Sequence, residues 1–103
     1  MSMKPVSGRV ELELDFPEKF FMGSFSQASA FEAISDGEGV RLRLRRLRGE
    51  RRVVSLELHW YVFADMLEQL AQGLAEGPLP EDPRRRRAQA AAAALAAALE
   101  PRS

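Results

Sequence analysis

Alternation between apolar and polar residues in three segments, strict in the first of them, constrains the fold of this chain more than any other feature. The alternating segments are residues 9–16, 40–48 and 52–58. Successive side chains of a β-strand point to opposite faces, so each segment predicts a strand with one apolar face. In the second segment the doubled Arg45 and Arg46 shift the phase by one residue, so Leu47 returns to the apolar face only if a β-bulge lies at that point.

The period changes from two to about 3.6 after residue 59, which predicts a helix over residues 60–76. Its apolar stripe consists of Trp60, Phe63, Leu67, Leu70 and Leu74. Gly77 and Pro78 follow and are typical of a helix end. The predicted fold class is therefore α+β, an antiparallel four-stranded β-meander packed by one amphipathic helix.

Two stretches before the second alternating segment are less regular. Pro17 and Glu18 suit the first turn of a short helix that Gly23 would stop, so we expect one or two helical turns at residues 17–22. Residues 24–35 fit a strand as well as a helix. The glycine-rich turn at 36–39 precedes a clear strand and favours a hairpin, with a strand at about residues 30–34.

The C-terminal part predicts a stiff linker and a second helix. Residues 78–83 contain three prolines, and Asp82 before Pro83 is a good helix cap, so we expect a helix from about residue 83 to 99. Its alanine-rich body offers only Leu95 and Leu99 as apolar anchors. The predicted organisation is a β-β-β-β-α domain at 1–77, a Pro-rich linker at 78–83 and an Arg/Ala-rich tail helix at 84–103.

Composition limits the classes of function. The 15 Lys and Arg residues balance 15 Asp and Glu residues, so any electrostatic partner must meet a local patch. The absence of cysteine excludes thiolate chemistry, and neither a signal peptide nor a membrane helix is evident, so we expect a cytoplasmic protein without a membrane partner. Its small core also predicts self-association, as a dimer, through a sheet edge or the helix.

Seven arginines within twelve residues form a candidate nucleic-acid-binding surface. They are Arg41, Arg43, Arg45, Arg46, Arg48, Arg51 and Arg52. Such a cluster could bind the phosphate backbone of a single strand. The alternative is neutralisation by Glu11, Glu13 and Asp15, if the first strand pairs with this one. The sequence does not fix the strand order, so both readings stay open.

Aromatic residues allow a similar choice between base stacking and packing. The candidates are Phe20, Phe21, Phe25, Phe31 and Trp60. Exposed rings would stack on bases, whereas the same rings could close the end of the sheet or, for Trp60, pack on the helix stripe.

Catalysis is not predicted. His59 is the single histidine, and no triad, phosphate loop or dinucleotide fingerprint accompanies it. Without cysteine it does not make a metal site either, so we expect no enzyme activity, no metal and no cofactor. The basic run at residues 84–87 is either a solvated start of the tail helix or an arm that seeks phosphate or a partner.

Residues 53–60, Val-Val-Ser-Leu-Glu-Leu-His-Trp, lead from the last predicted strand into the helix. Four strands followed by a helix, with a Ser-Leu pair before a Trp that opens the helix, resemble the positive-cofactor type of transcriptional coactivator. Whirly and PUR-repeat proteins are similar in layout. The likeness covers residues 9–76. Ser55 and Leu56 match, Trp60 stands about one residue early, and residues 57–59 differ from the usual capping residues.

The resemblance implies a dimer that binds single-stranded DNA or RNA across a curved sheet. By position, Arg41, Arg43, Arg45 and Trp60 would carry that binding. Two hypotheses stay open: a dimeric single-strand-binding domain with a role in regulating transcription, or a protein-interaction and assembly module whose charges pair internally.

Overall fold

The computed structural model describes residues 3–102 and shows an α+β protein, which confirms the predicted fold class. The strands are β1 (Lys4–Pro5), β2 (Val10–Phe16), β3 (Lys19–Phe25), β4 (Ser29–Ser35), β5 (Gly39–Arg46) and β6 (Val53–His59). The helices are α1 (Trp60–Glu76) and α2 (Arg84–Ala98). The bounds of α1 coincide with the range that its apolar period predicts.

The main sheet is antiparallel and has four strands in the order β1-β4-β5-β6. Short turns join its last three strands, and the register is regular: Arg43 of β5 lies opposite Glu32 on one side and Ser55 on the other. Pairing continues without interruption to Arg45 and Arg46, so the condition of a β-bulge at this point of β5 is not met. Leu47 leaves the strand instead and donates its backbone N–H to the carbonyl of Ala28.

The alternating strand at residues 10–16 does not belong to the main sheet. It pairs with β3 in a separate two-stranded sheet, and the place of a fourth strand beside β4 is taken by the two residues of β1. The prediction of a short helix at residues 17–22 is wrong. Pro17 and Glu18 form a tight turn that sets Phe16 opposite Lys19, and residues 19–25 then gain backbone partners along the whole of β2.

Few side chains are buried. Among residues 3–102 the buried apolar side chains are Phe25, with 2% of its surface exposed, and Ala30, joined by the polar Ser29. All three lie around the turn between β3 and β4, which the backbone N–H of Ser29 closes by donating to the carbonyl of Ser26. The core of the protein is therefore small and lies at one place in the chain.

The chain divides into two compact units, Met1–Met66 and Leu67–Ser103. In the first unit, Trp60 and Phe63 of the helix stripe are half-buried. In the second unit, Leu70 and Leu74 are exposed, and no residue of α2 is buried. Asp82 does not cap α2 as predicted; its carboxylate pairs with the side chain of Arg85 at 2.7 Å instead. No helix in the described part of the chain is long and apolar enough to cross a membrane.

Candidate functional site

Two arginines of β5, Arg41 and Arg43, are paired with carboxylates of neighbouring strands. Arg41 lies opposite Glu57 of β6, and its Nε donates a hydrogen bond to Glu57 Oε1 at 2.8 Å. Arg43 lies opposite Glu32 of β4, with 3.6 Å between its Nη1 and Glu32 Oε1. Two of the four arginines of this strand that were predicted to bind phosphate therefore have internal partners.

The pair between Arg43 and Glu32 is the more enclosed of the two. Only 14% of the Glu32 side chain is exposed, compared with 65% of the Glu57 side chain. The Nε of Arg43 is buried and has no hydrogen-bond partner within residues 3–102. A buried donor without a partner is unfavourable, and the carboxylate of Glu32 opposite Arg43 offsets part of that cost.

The acidic residues of the first alternating strand do not neutralise these arginines across a ladder. Glu11, Glu13 and Asp15 lie opposite Ser24, Met22 and Phe20 of β3. Sequence reasoning missed Glu32 and Glu57, although a signal for Glu57 was present. A hairpin of two alternating strands that closes between residues 46 and 53 places residue 57 opposite residue 41.

Four arginines cluster at the turn between β5 and β6 without such partners. These are Arg45, Arg46, Arg48 and Arg51, here called the arginine tip. No carboxylate in the described part of the chain pairs with them within 4.0 Å. Arg45 and Arg51 line a shallow hollow of about 280 Å³ together with Arg43, Met3 and Val53. The tip is thus the part of the predicted basic surface that keeps its charge available.

Arg52 differs from the tip residues beside it. Its guanidinium lies over the ring of Phe21, 5.2 Å from the centroid, and its Nη2 is 3.6 Å from Glu50 Oε2. Arginine above an aromatic face is held by the quadrupole of the ring as well as by packing. Arg52 therefore contacts the two-stranded sheet and is occupied within the protein.

Trp60 connects the beginning of α1 to the turn between β4 and β5. Its indole Nε1 donates to the backbone carbonyl of Asp36 at 2.9 Å, and its backbone N–H donates to the carbonyl of Glu38 at 3.3 Å. The edge of the indole meets Phe63, one helical turn on, with 5.9 Å between ring centroids. The indole thus has a partner for its polar atom and for its ring, which supports the packing reading.

Of the phenylalanines considered for base stacking, Phe20 alone is exposed. Phe25 is buried, Phe31 is half-buried, and Phe21 lies beneath Arg52. Phe20 belongs to the two-stranded sheet, whereas the arginine tip belongs to the main sheet.

A pocket of about 220 Å³ lies where β5 and β6 meet the turn before β5. Its lining is partly apolar and includes the charged or polar side chains of Asp36, Arg41, Glu57 and His59. The backbone N–H groups of Glu38 and Gly39 donate to Asp36 Oδ1 and hold the pKa of that carboxyl below its usual range, with smaller contributions from Arg41 and His59. No serine, threonine or cysteine lines this pocket. Within residues 3–102, no group of three or more His, Cys, Asp or Glu side chains is arranged to hold a metal ion.

The basic run at the start of α2 is partly paired. Asp82 contacts Arg85 at 2.7 Å and Arg86 at 3.6 Å, and all four arginines of the run are exposed.

Comparison of the chain with protein-family models, with curated proteins and with solved structures gives no match. The likeness to single-strand-binding coactivators therefore stays a prediction, and the function is argued from the geometry alone.

Proposed function

We propose that this domain is a protein-interaction and assembly module. The observation that carries the proposal is the number of large apolar side chains exposed in strands and helix alike, against a buried apolar set of Phe25 and Ala30 within residues 3–102. Covering one such side chain stabilises a protein by about 1.5–3 kcal/mol, so a partner chain would gain much by covering several.

An exposed apolar surface lies on one face of the two-stranded sheet, at the end next to the turn between β2 and β3, and is here called the hairpin face. It contains Leu14 and Phe16, two residues apart on the same side of β2, which expose 41% and 59% of their surface. Farther from the turn the same face bears the buried Phe25, opposite Val10. Contiguous apolar patches on soluble proteins are typical of interaction sites. A two-stranded sheet alone is also only marginally stable in water, so a partner on this face would stabilise it.

The charges of the main sheet support the same proposal. The phosphates of a single-stranded nucleic acid bound across β5 would compete with Glu57 for Arg41 and with Glu32 for Arg43. When a phosphate takes the place of the carboxylate beside an arginine, that carboxylate is left without its cation, which reduces the net free energy gained by binding.

Two measurements test the proposal. One is the molar mass in solution, from light scattering on a size-exclusion column, and the other is the binding of a dye that reports exposed apolar surface. We expect a mass above the 11.5 kDa of one chain. Replacing Leu14 and Phe16 by serine should lower the association or the dye signal. Glu13→Ser, on the opposite side of β2, is the matched control. A monomer that binds no dye would contradict the proposal.

A second candidate function is binding of single-stranded nucleic acid by the arginine tip, as a dimer with a role in regulating transcription. Its support is the four arginines without carboxylate partners in the described residues. If all four contact phosphates, affinity for a labelled single strand should fall with salt at a log-log slope of about −2.8. Arg48→Glu with Arg51→Glu should abolish it, whereas Arg84→Glu should not. Absence of binding at low salt would remove this candidate.

A further inference from the structure

The outer edge of β6 is an unpaired strand edge of seven residues. Within the described residues β6 pairs only with β5, and it ends the strand order of the main sheet. It contains neither proline nor lysine, the residues that commonly protect an exposed edge from pairing with another chain. The opposite side of the sheet differs, because β1 ends there in Lys4 and Pro5.

Two hydrogen bonds identify which backbone groups of β6 point away from β5. Arg46 donates to the carbonyl of Arg52, and Trp60 donates to the carbonyl of Glu38, so even-numbered residues bond within the hairpin at both of its ends. Bonded and non-bonded pairs alternate along an antiparallel ladder of constant register. The backbone N–H and C=O groups of Val53, Ser55, Glu57 and His59 are therefore directed outward.

The sequence of β6 is self-complementary when two copies run antiparallel with Leu56 at the centre. Leu56 then meets Leu56 of the second copy, and Val54 meets Leu58, so the apolar face continues across the junction. On the other face Ser55 meets Glu57 and Val53 meets His59, so no like charges face each other. This register also joins the outward-directed residues, with about eight new backbone hydrogen bonds.

The free edge of β2, which is also seven residues long, does not fit a second copy in this way. An antiparallel pair of β2 strands centred on Glu13 would set Glu13 against Glu13 and Glu11 against Asp15. Like charges directly opposite one another are unfavourable, so β2 resists the pairing that β6 favours.

We propose that two copies of this chain pair antiparallel along β6, with a two-fold axis at Leu56, into one eight-stranded sheet. This inference deepens the proposed function and rests on it, since the occupant of the edge is another copy of the module. Leu56, half exposed in the single chain at 50%, becomes covered at the axis.

Single cysteines test the axis directly because the chain contains no cysteine of its own. Residues opposite each other in a non-hydrogen-bonded pair have Cα atoms about 4.5 Å apart, within the range that a disulfide spans. Under mild oxidation Leu56→Cys should form a covalent dimer rapidly. Ser55→Cys, equally accessible but two residues out of register with itself, should form it far more slowly.

Opposite charges at position 56 provide a second test that does not depend on oxidation. Leu56→Lys and Leu56→Glu should each weaken the dimer roughly tenfold or more, because like charges then meet at the axis. Mixing the two variants should restore a dimer that contains one chain of each. Leu70→Lys, which adds the same charge on α1, is the control and should leave the dimer intact, provided circular dichroism shows that each variant is folded.

The outcomes separate this inference from the proposed function. Covalent dimers that favour Leu56→Cys over Ser55→Cys, with rescue on mixing, support the β6 pair. An oligomer that crosslinks equally from both positions, or that Leu70→Lys dissociates, overturns the β6 pair and leaves the assembly module standing. A wild-type monomer that binds the apolar dye also overturns the pair alone, and a monomer that binds none overturns both.

Discussion

Trp60, the first residue of α1, donates its indole N–H to the backbone carbonyl of Asp36 across 2.9 Å. The residues are 24 positions apart, and the bond holds the start of the helix against the turn between β4 and β5. This contact links the main sheet to the first turn of α1, so its removal is informative.

Trp60→Phe should lower the free energy of unfolding by about 0.5–1.5 kcal/mol. The phenylalanine ring keeps an apolar side chain beside Phe63 but leaves the carbonyl of Asp36 without its donor. Urea denaturation followed by circular dichroism gives the value. Tyr61→Phe is the control, because Tyr61 is 88% exposed and the loss of its hydroxyl should change the free energy of unfolding little. Equal stability of the two variants would show that the indole bond contributes nothing.

Gly39→Ala should destabilise the protein by about 1–3 kcal/mol. A Cβ at Gly39 would overlap the backbone carbonyl of Leu58 and come within 2.9 Å of the His59 Cα, so two paired strands would have to separate. Gly37→Ala in the same turn is the matched control, since a Cβ there meets no atom within 4 Å. Denaturation midpoints of both variants measure the difference, and a Gly39→Ala protein as stable as Gly37→Ala would contradict this packing.

Asp36 should make stability depend on pH in the acid range. The N–H groups of Glu38 and Gly39 lower the pKa of its carboxyl below the ordinary 3.8, so the folded state favours the charged form. Its contribution is complete above pH 3.8 and is lost as the pH falls through the lower pKa of the folded state.

Asp36→Asn should therefore be less stable than the wild-type protein near neutral pH, and the difference should shrink below pH 3.8. Thermal midpoints measured along a pH series test this. A difference that grows on acidification would have the wrong sign and would contradict the turn as described.

Arg43→Gln should destabilise the protein more than Arg41→Gln. The first variant leaves the enclosed carboxylate of Glu32 without its cation, at a cost of about 1–3 kcal/mol. The second breaks an exposed pair that contributes about 0.2–1 kcal/mol. Combining Arg43→Gln with Glu32→Gln should recover much of the loss, and chemical denaturation of the three variants and the wild-type protein measures it. Equal losses at positions 41 and 43 would contradict the difference in burial.

The pair of Arg43 and Glu32 limits which arginine substitutions can test nucleic-acid binding. Arg43→Glu would set two carboxylates against each other at Glu32, so a loss of binding in that variant would not separate damage to the fold from loss of a contact. Arg48 and Arg51 have no such partner in the described residues and are the better positions.

The strands at β5 and β6 and the helix α1 could be predicted from the sequence because each shows its period over seven or more residues. The strand that pairs with β2 could not be predicted in this way. Alternation shows that Val10, Leu12 and Leu14 share a face, but it is silent on which strand lies alongside. The two residues of β1 are too few to show a period, so the strand that borders β4 left no signal.

For the candidate site, the sequence shows the arginines and contains a signal for one of their two partners, Glu57. The register of β5 and β6 follows from the turn between them, and it brings Glu57 to Arg41. Glu32 lies in the stretch that fitted both helix and strand, so its position opposite Arg43 required the structure. The burial of Glu32 and the direction of the β6 backbone groups depend on how the strands pair and pack, so the sequence of one segment does not predict them.

The arginine tip also has a consequence for how the main sheet meets other molecules. The chain has a formal net charge of zero, yet the tip lies at one end of the β5–β6 hairpin while Asp36 and Glu38 lie at the other. This separation places opposite signs of charge at the two ends of the hairpin. An approaching anion is therefore attracted to one end and repelled from the other, although the formal charges of the chain sum to zero.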